Sequence, residues 1–156
     1  MTTYSLPNMD HMVLQSQQRS HAGAALFYAA RAAAQKRSFW AAITRRPAAL
    51  HTLAQDHPNA KTVRSAGRQS VRLDDIRGTE GRAQGFDDKF YPLSDQTRQR
   101  WQSVASAVDE GVPLPAVQLI QVGGAYYVRD GHHRVSVNRA LGQEEIEAEV
   151  IIWIAA

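Results

Sequence analysis

The sequence predicts an α+β fold, a small mixed sheet with packed helices, preceded by an N-terminal helical cap. Residues 20–58 are rich in helix formers and carry apolar residues at helical spacing. Residues 71–153 alternate strand-patterned runs with helical ones, the order of a sheet covered by helices. Gly123-Gly124 and Asp130-Gly131 mark a hairpin and a strand-to-helix turn. The expected division is an arm and basic helical cap over residues 1–70 and the sheet-bearing unit over residues 71–156.

Residues 1–18 show no sustained period and are expected to form a loose arm. Leu26, Phe27, Ala30, Ala33 and Ala34 then repeat at helical spacing. A second helix is expected around Phe39, Trp40 and Ile43, stopping at Arg45-Arg46-Pro47 because the residue before proline is pushed out of helical geometry. Pro47 suits the first turn of a third helix through Ala48, Leu50 and Leu53, ending near His57-Pro58. The polar stretch 59–70 reads as a linker.

Val71, Leu73 and Ile76 carry the alternation of a half-buried strand, followed by a charged glycine loop over residues 77–82. Phe86, Phe90, Tyr91, Pro92 and Leu93 form an aromatic packing anchor. Ser94 suits an N-cap, Trp101, Val104, Ala105 and Val108 share one helix face, and Gly111 ends the helix. A strand over Val117 to Val122, the Gly-Gly hairpin and a strand at Tyr126 to Val128 follow. After Asp130-Gly131 a helix runs to Leu141-Gly142, and the alternation from Ile146 to Trp153 gives a final strand.

With 156 residues, one domain with an appendage is expected. The chain has no cysteine, which removes disulfides, thiolate metal sites and thiol nucleophiles together. No apolar run approaches the roughly 20 residues of a bilayer span, and no secretory pattern opens the chain, so a cytoplasmic protein with no membrane partner is expected. Residues 1–72 hold ten Lys/Arg against two Asp/Glu, and residues 73–156 hold eight against thirteen, so charges of +8 and −5 make up the net +3. Basic residues 19–72 would suit nucleic acid, yet the nearest acidic surface is the chain's own C-terminal half, which favours intramolecular pairing.

The chemistry concentrates in Asp130-Gly131-His132-His133-Arg134. The first amides of a helix lack intrahelical partners and carry the positive dipole end, so they favour an anion, usually a phosphate. His132, His133 and Arg134 strengthen that preference. His11, His21, His51 and His57 show no spacing for a zinc site, and Asp74 and Asp75 read as a strand edge and turn.

This order, with the Asp130-Gly131-His132-His133-Arg134 turn and a downstream Ala140-Leu141-Gly142, resembles the ParB/sulfiredoxin-like superfamily over residues 71 to 153. The resemblance implies nucleotide phosphates held at the glycine turn. In ParB partition proteins the box resembles Gly-Glu-Arg-Arg with a further arginine, binds cytidine triphosphate and comes with a DNA-reading domain. Here His132, His133 and Ser136 stand in those places, and no DNA-reading domain is expected after Trp153. Sulfiredoxins carry a catalytic cysteine after the glycine, where this chain has His132, so sulfinic-acid repair by that route is excluded. The Asp-Gly-His-Thr-Arg pattern of free serine kinases is similar at Asp130, Gly131, His132 and Arg134, with His133 at the threonine place. Glu80 stands where those kinases carry a catalytic glutamate.

The resemblance thus implies a nucleotide-binding site at Gly131, His132, His133, Arg134 and Ser136, with ATP, ADP or CTP and Mg²⁺ as cofactors. Glu80, Asp130 and His132 are the catalytic candidates for phosphoryl transfer or nucleotide hydrolysis, and Asp130 the metal candidate. The alternative is a non-enzymatic module that senses a nucleotide or uses its basic N-terminal helices on nucleic acid. Competing structural readings stand beside each residue. Arg134 would pair with Asp130, and Asp130 would serve only the turn. Glu80 would pair with Arg77 or Arg82, and His133, sharing a face with Val137, Ala140 and Leu141, would be packed and hydrogen-bonded. His132 shares a wheel position with Ser136 and Arg139, away from that apolar face, so no core role is expected for it.

Overall fold

The computed structural model describes residues 9–44, 49–81 and 84–155. Its helices are α1 (Met9–Thr44), α2 (Leu53–Asp56), α3 (Arg98–Asp109) and α4 (His132–Ala140). Its strands are β1 (His51–Thr52), β2 (Lys61–Arg72), β3 (Ile76–Thr79), β4 (Val117–Val122), β5 (Ala125–Asp130) and β6 (Glu145–Ile154). The strands form one mixed sheet in the order β1-β3-β5-β4-β6-β2. The fold is therefore α+β, with a long helix ahead of the sheet.

The two sheet faces are covered differently. On one, Val135 of α4 meets Val117, Leu119, Val128, Ala148 and Val150 of the sheet. Outside that layer, Phe27 and Ala30 of α1 pack with Trp101 and Ala105 of α3 and Val137 of α4. On the opposite face, Leu53 of α2 buries itself against Ile120, Val122 and Tyr127. The hairpin joining β4 and β5 turns at Gly123, and their antiparallel pairing brings Ile120 opposite Tyr127.

Several sequence expectations are corrected. Residues 9–18 of the expected arm are helical, and the two helices expected before residue 45 are one 36-residue helix, about 54 Å at 1.5 Å per residue. Phe27, Ala30 and Ala34 are buried on its inner face, whereas Phe39, Trp40 and Ile43 are exposed. The expected stop at Arg45-Arg46-Pro47, the start at Pro47-Ala48, Arg82 and residues 1–8 lie outside the described residues. The third helix shrinks to α2, because Thr52 and Gln55 form a capping box that starts a new helix only at Leu53.

The expected linker 59–70 is mostly β2, paired with β6 from Lys61↔Ile154 to Arg72↔Glu145. Alternation is absent there because β2 is an edge strand, largely exposed until Val71, with only Ala66 and Gln69 half-buried. Val71, Leu73 and Ile76 are buried as expected, but a 3-10 turn at Leu73–Asp75 separates two strands. The supposed glycine loop begins as β3, which runs parallel to β1 and β5 through Thr79.

Part of the charge asymmetry is met inside the molecule. Arg19 pairs with Glu110, Arg31 with Asp95, Arg37 with Asp87 and Arg68 with Glu149, each pair joining the basic half to the acidic one. No helix among the described residues is long and apolar enough to cross a membrane.

Candidate functional site

β5 passes into α4 at Gly131, whose φ of 102° lies in the left-handed region. Packing makes the same demand, since a Cβ there would sit 2.6 Å from Val117 Cγ1. No side chain caps α4. Its first residues, from Gly131 to Arg134, border a cleft of about 530 Å³, with Phe86, Arg100 and Pro115 across from them. The structure thus brings Asp130, Gly131, His132, His133 and Arg134 to one cavity.

Arg134 is tied down at several points. Its Nη1 donates to the carbonyls of Pro115 and Ala116, the latter at 2.9 Å, and its Nη2 donates to Asp130 Oδ2 at 2.7 Å. The guanidinium therefore locks the approach to β4 onto α4, and the expected pairing with Asp130 is present. Its charge still stands at the cleft.

His132 is not held away from the interior. Its Nε2 lies 2.8 Å from Thr79 Oγ1, and its ring stacks on Phe86 at 6.4 Å and tilts over Phe90 at 6.3 Å. The loop around residues 85–92 folds over the start of α4, converting a polar helix flank into an interior one. Burial lowers the His132 pKa, and the Asp130 charge partly opposes it. His133 is packed, edge-on to Phe86 at 5.2 Å, but its buried Nε2 lacks the expected hydrogen bond. Burial first, then the charges of Arg100 and His132, push its pKa down to about 4.

The fully buried Ser136 lies behind the cleft. Its Oγ accepts from Trp101 Nε1 at 2.8 Å, joining α4 to α3. Glu80 is not brought to the cleft either. Glu80 follows β3 directly, its amide still bonded to the Val128 carbonyl at 2.9 Å, so it projects to the face opposite Thr79: Thr79 meets His132, whereas Glu80 takes both Arg129 Nε and Nη2 at 2.8 Å. Those bonds hold its carboxyl below the usual range. Its partner is neither Arg77 nor Arg82, because the β3–β5 register sets Thr79 against Val128 and so Glu80 beside Arg129.

For Mg²⁺ the cleft offers the carboxylate of Asp130, 63% exposed with Oδ2 bound to Arg134. Among the described residues no three His, Asp or Glu side chains converge as a metal site. The residues fit Mg²⁺ only as a partner of ligand phosphates, the usual mode for this cation. Arg100 and Thr79 were missed from sequence. Trp101 placed Arg100 on the flank of a helix, but nothing local said which helix start that flank would face.

The two histidines predict a pH dependence. The His133 pKa in the folded chain is about 4, against roughly 6.5 unfolded, so the unfolded state binds more protons between these values. Stability is then fully present above about pH 6.5 and lost as pH falls toward 4. Urea denaturation across this range is expected to show that loss, with a shallower slope for His133→Gln. His132, shifted in the same direction, accounts for part of the remainder.

No protein-family model matches the chain, and no curated protein matches it. Among solved structures, the crystal structure of sulfiredoxin from Arabidopsis thaliana is similar over 53% of this chain and 82% of that chain, with 20% identity and a TM-score of 0.41.

Proposed function

We propose that the cleft at the start of α4 binds a nucleotide through its phosphates, with Mg²⁺ as the ligand's counter-ion. The observation that carries this reading is the uncapped start of α4 opposite Arg100, in one cavity with the unpartnered His133. Exposed amides and the helix dipole favour a phosphate at Gly131-His132. Arg100 is exposed and makes none of the ion pairs formed among the described residues, so its charge is available to the ligand. Val104, Leu114 and Pro115 supply an apolar wall for a base.

Asp130 would share Mg²⁺ with the phosphates, and the cation would neutralise their charge. His132, fixed by Thr79, and Arg134, fixed by Pro115 and Ala116, keep the helix start in place. Because Glu80 faces the other side of the sheet and is saturated by Arg129, the reading is one of binding, without Glu80 as a base.

Calorimetry with ATP, ADP and CTP in the presence of Mg²⁺ tests it. Saturable binding of at least one is expected, weakened about tenfold or more, on the order of 1.4 kcal/mol, by Arg100→Glu. Arg100 is the informative position because its exposed side chain carries no packing role, unlike Arg134. Absence of binding for all three nucleotides, or equal binding by the variant, overturns the reading.

A further inference from the structure

A second cleft, of about 810 Å³, opens at the other end of β5, beside the β4–β5 turn and α2. It shares no lining residue with the first. In its wall Tyr127 OH donates to Asp56 Oδ2 at 2.9 Å, and His51 Nδ1 lies 3.3 Å from Asp56 Oδ1. A carboxylate only accepts, so Nδ1 carries a hydrogen, and in the neutral ring Nε2 is then the acceptor. A carboxylate behind Nδ1 is the device that fixes the tautomer of a proton-transfer histidine.

The fold builds each part of this chain of hydrogen bonds. Tyr127 lies within β5 and is 2% exposed, with its pKa pushed up to about 12 by burial and Asp56, so it remains a donor. Asp56 closes α2, whose start is locked by Thr52 and Gln55. His51 is positioned opposite Gly78 in the β1–β3 register, where a Cβ on residue 78 would meet the His51 carbonyl oxygen at 2.2 Å. Only glycine lets β1 approach so closely.

The cleft is lined by the cations Arg77, Lys89 and Arg139 and by the carboxylates of Asp56, Asp74 and Asp88. Burial lowers the Arg139 pKa, and Asp74 and Asp88, which line the cleft with it, partly oppose that. Arg77 lines the cleft one residue before Gly78, the register partner of His51, and His57 there lies edge-on to the Tyr127 ring at 5.8 Å. Arg77 makes none of the ion pairs formed among the described residues. Both oxygens of Asp56, the nearby carboxylate, are already engaged.

We infer that the His51 end of this cleft is an oxyanion site for phosphate, with Arg77 as its fixed charge and His51 Nε2 as a hydrogen-bond acceptor for a phosphate hydroxyl. A phosphate hydroxyl donates to Nε2, while Asp56 holds the ring in place through Nδ1. Asp56 and Tyr127 are positioning residues. The site goes beyond the nucleotide reading and stands independently of it.

Nitrogen and proton NMR of the histidine rings, with inorganic phosphate added to the full chain, tests the inference. The free protein is expected to show His51 as the Nδ1–H tautomer, and phosphate to shift its resonances saturably. Asp56→Asn should mix the tautomers. Arg77→Ala should weaken the response about tenfold or more, the loss of one strong charged contact, and Arg100→Glu should leave it unchanged. An Nε2–H tautomer, no saturable shift, or a response that survives Arg77→Ala overturns the proposal. So does a response that disappears with Arg100→Glu, which would assign the phosphate to the first cleft.

Discussion

Asp87→Ala is expected to lower the unfolding free energy by about 3–5 kcal/mol, the range for breaking a buried charge pair. Asp87 is wholly buried, and its Oδ2 receives both Nε and Nη2 of Arg37, the former at 3.0 Å. Its Oδ1 accepts the amides of Lys89 at 3.0 Å and Tyr91 at 2.8 Å. Removing the carboxylate therefore leaves a half-buried guanidinium and two amides without their acceptor. Those same bonds hold Phe90 at a φ of 62°, a conformation that a bulky residue keeps only when its surroundings impose it. The urea midpoint measures the loss. Arg37→Ala should cost nearly as much, and the double variant little more than either alone, because both act on one pair.

Gly131→Ala is expected to cost about 2–5 kcal/mol, from the left-handed strain and the overpacking it imposes together. The new Cβ would press on Val117 Cγ1 at 2.6 Å and approach Arg134 Nη2 at 3.1 Å. Gly142→Ala separates the two contributions. Its φ of 72° imposes the strain, but nothing stands within 4 Å of its Cβ, so about 1–2 kcal/mol is expected. Thermal or urea denaturation of both variants gives the comparison. Gly131→Ala should also abolish nucleotide binding in calorimetry, by moving the amides of the α4 start, whereas Gly142→Ala should leave it intact.

The C-terminal half was legible because its signals are local. Gly123, Gly131 and Gly142 announce the turns they make, and Trp101 with Ala105 announces the buried face of α3. The Asp130–Arg134 cluster was found for the same reason. What escaped depends on distant partners. β2 has little buried face of its own, so its strand character comes from β6. Glu80 and Thr79 are separated by the sheet itself, a consequence of the β3–β5 register that no local pattern carries. Ser136 looked available on a helical wheel and is buried because α3 lays Trp101 over it. His132 looked exposed on the same wheel and is covered by Phe86, whose loop returns from elsewhere in the chain.

The placement of β2 has a kinetic consequence. β1 and β2 are neighbours in sequence yet lie on opposite edges of the sheet, and within it β2 touches only β6. Arg72 must find Glu145, and Lys61 must find Ile154, across every intervening element. Closing so long a loop is entropically costly before any contact rewards it, which places this pairing late in folding. Until then β2 is an unpaired strand, the kind of segment that recruits other chains. Its own sequence guards against that. Lys61, Arg64, Arg68 and Arg72 keep the waiting strand charged, and the irregularities at Thr62/Arg64 and Ser65/Gly67 deny a flat template to a stranger.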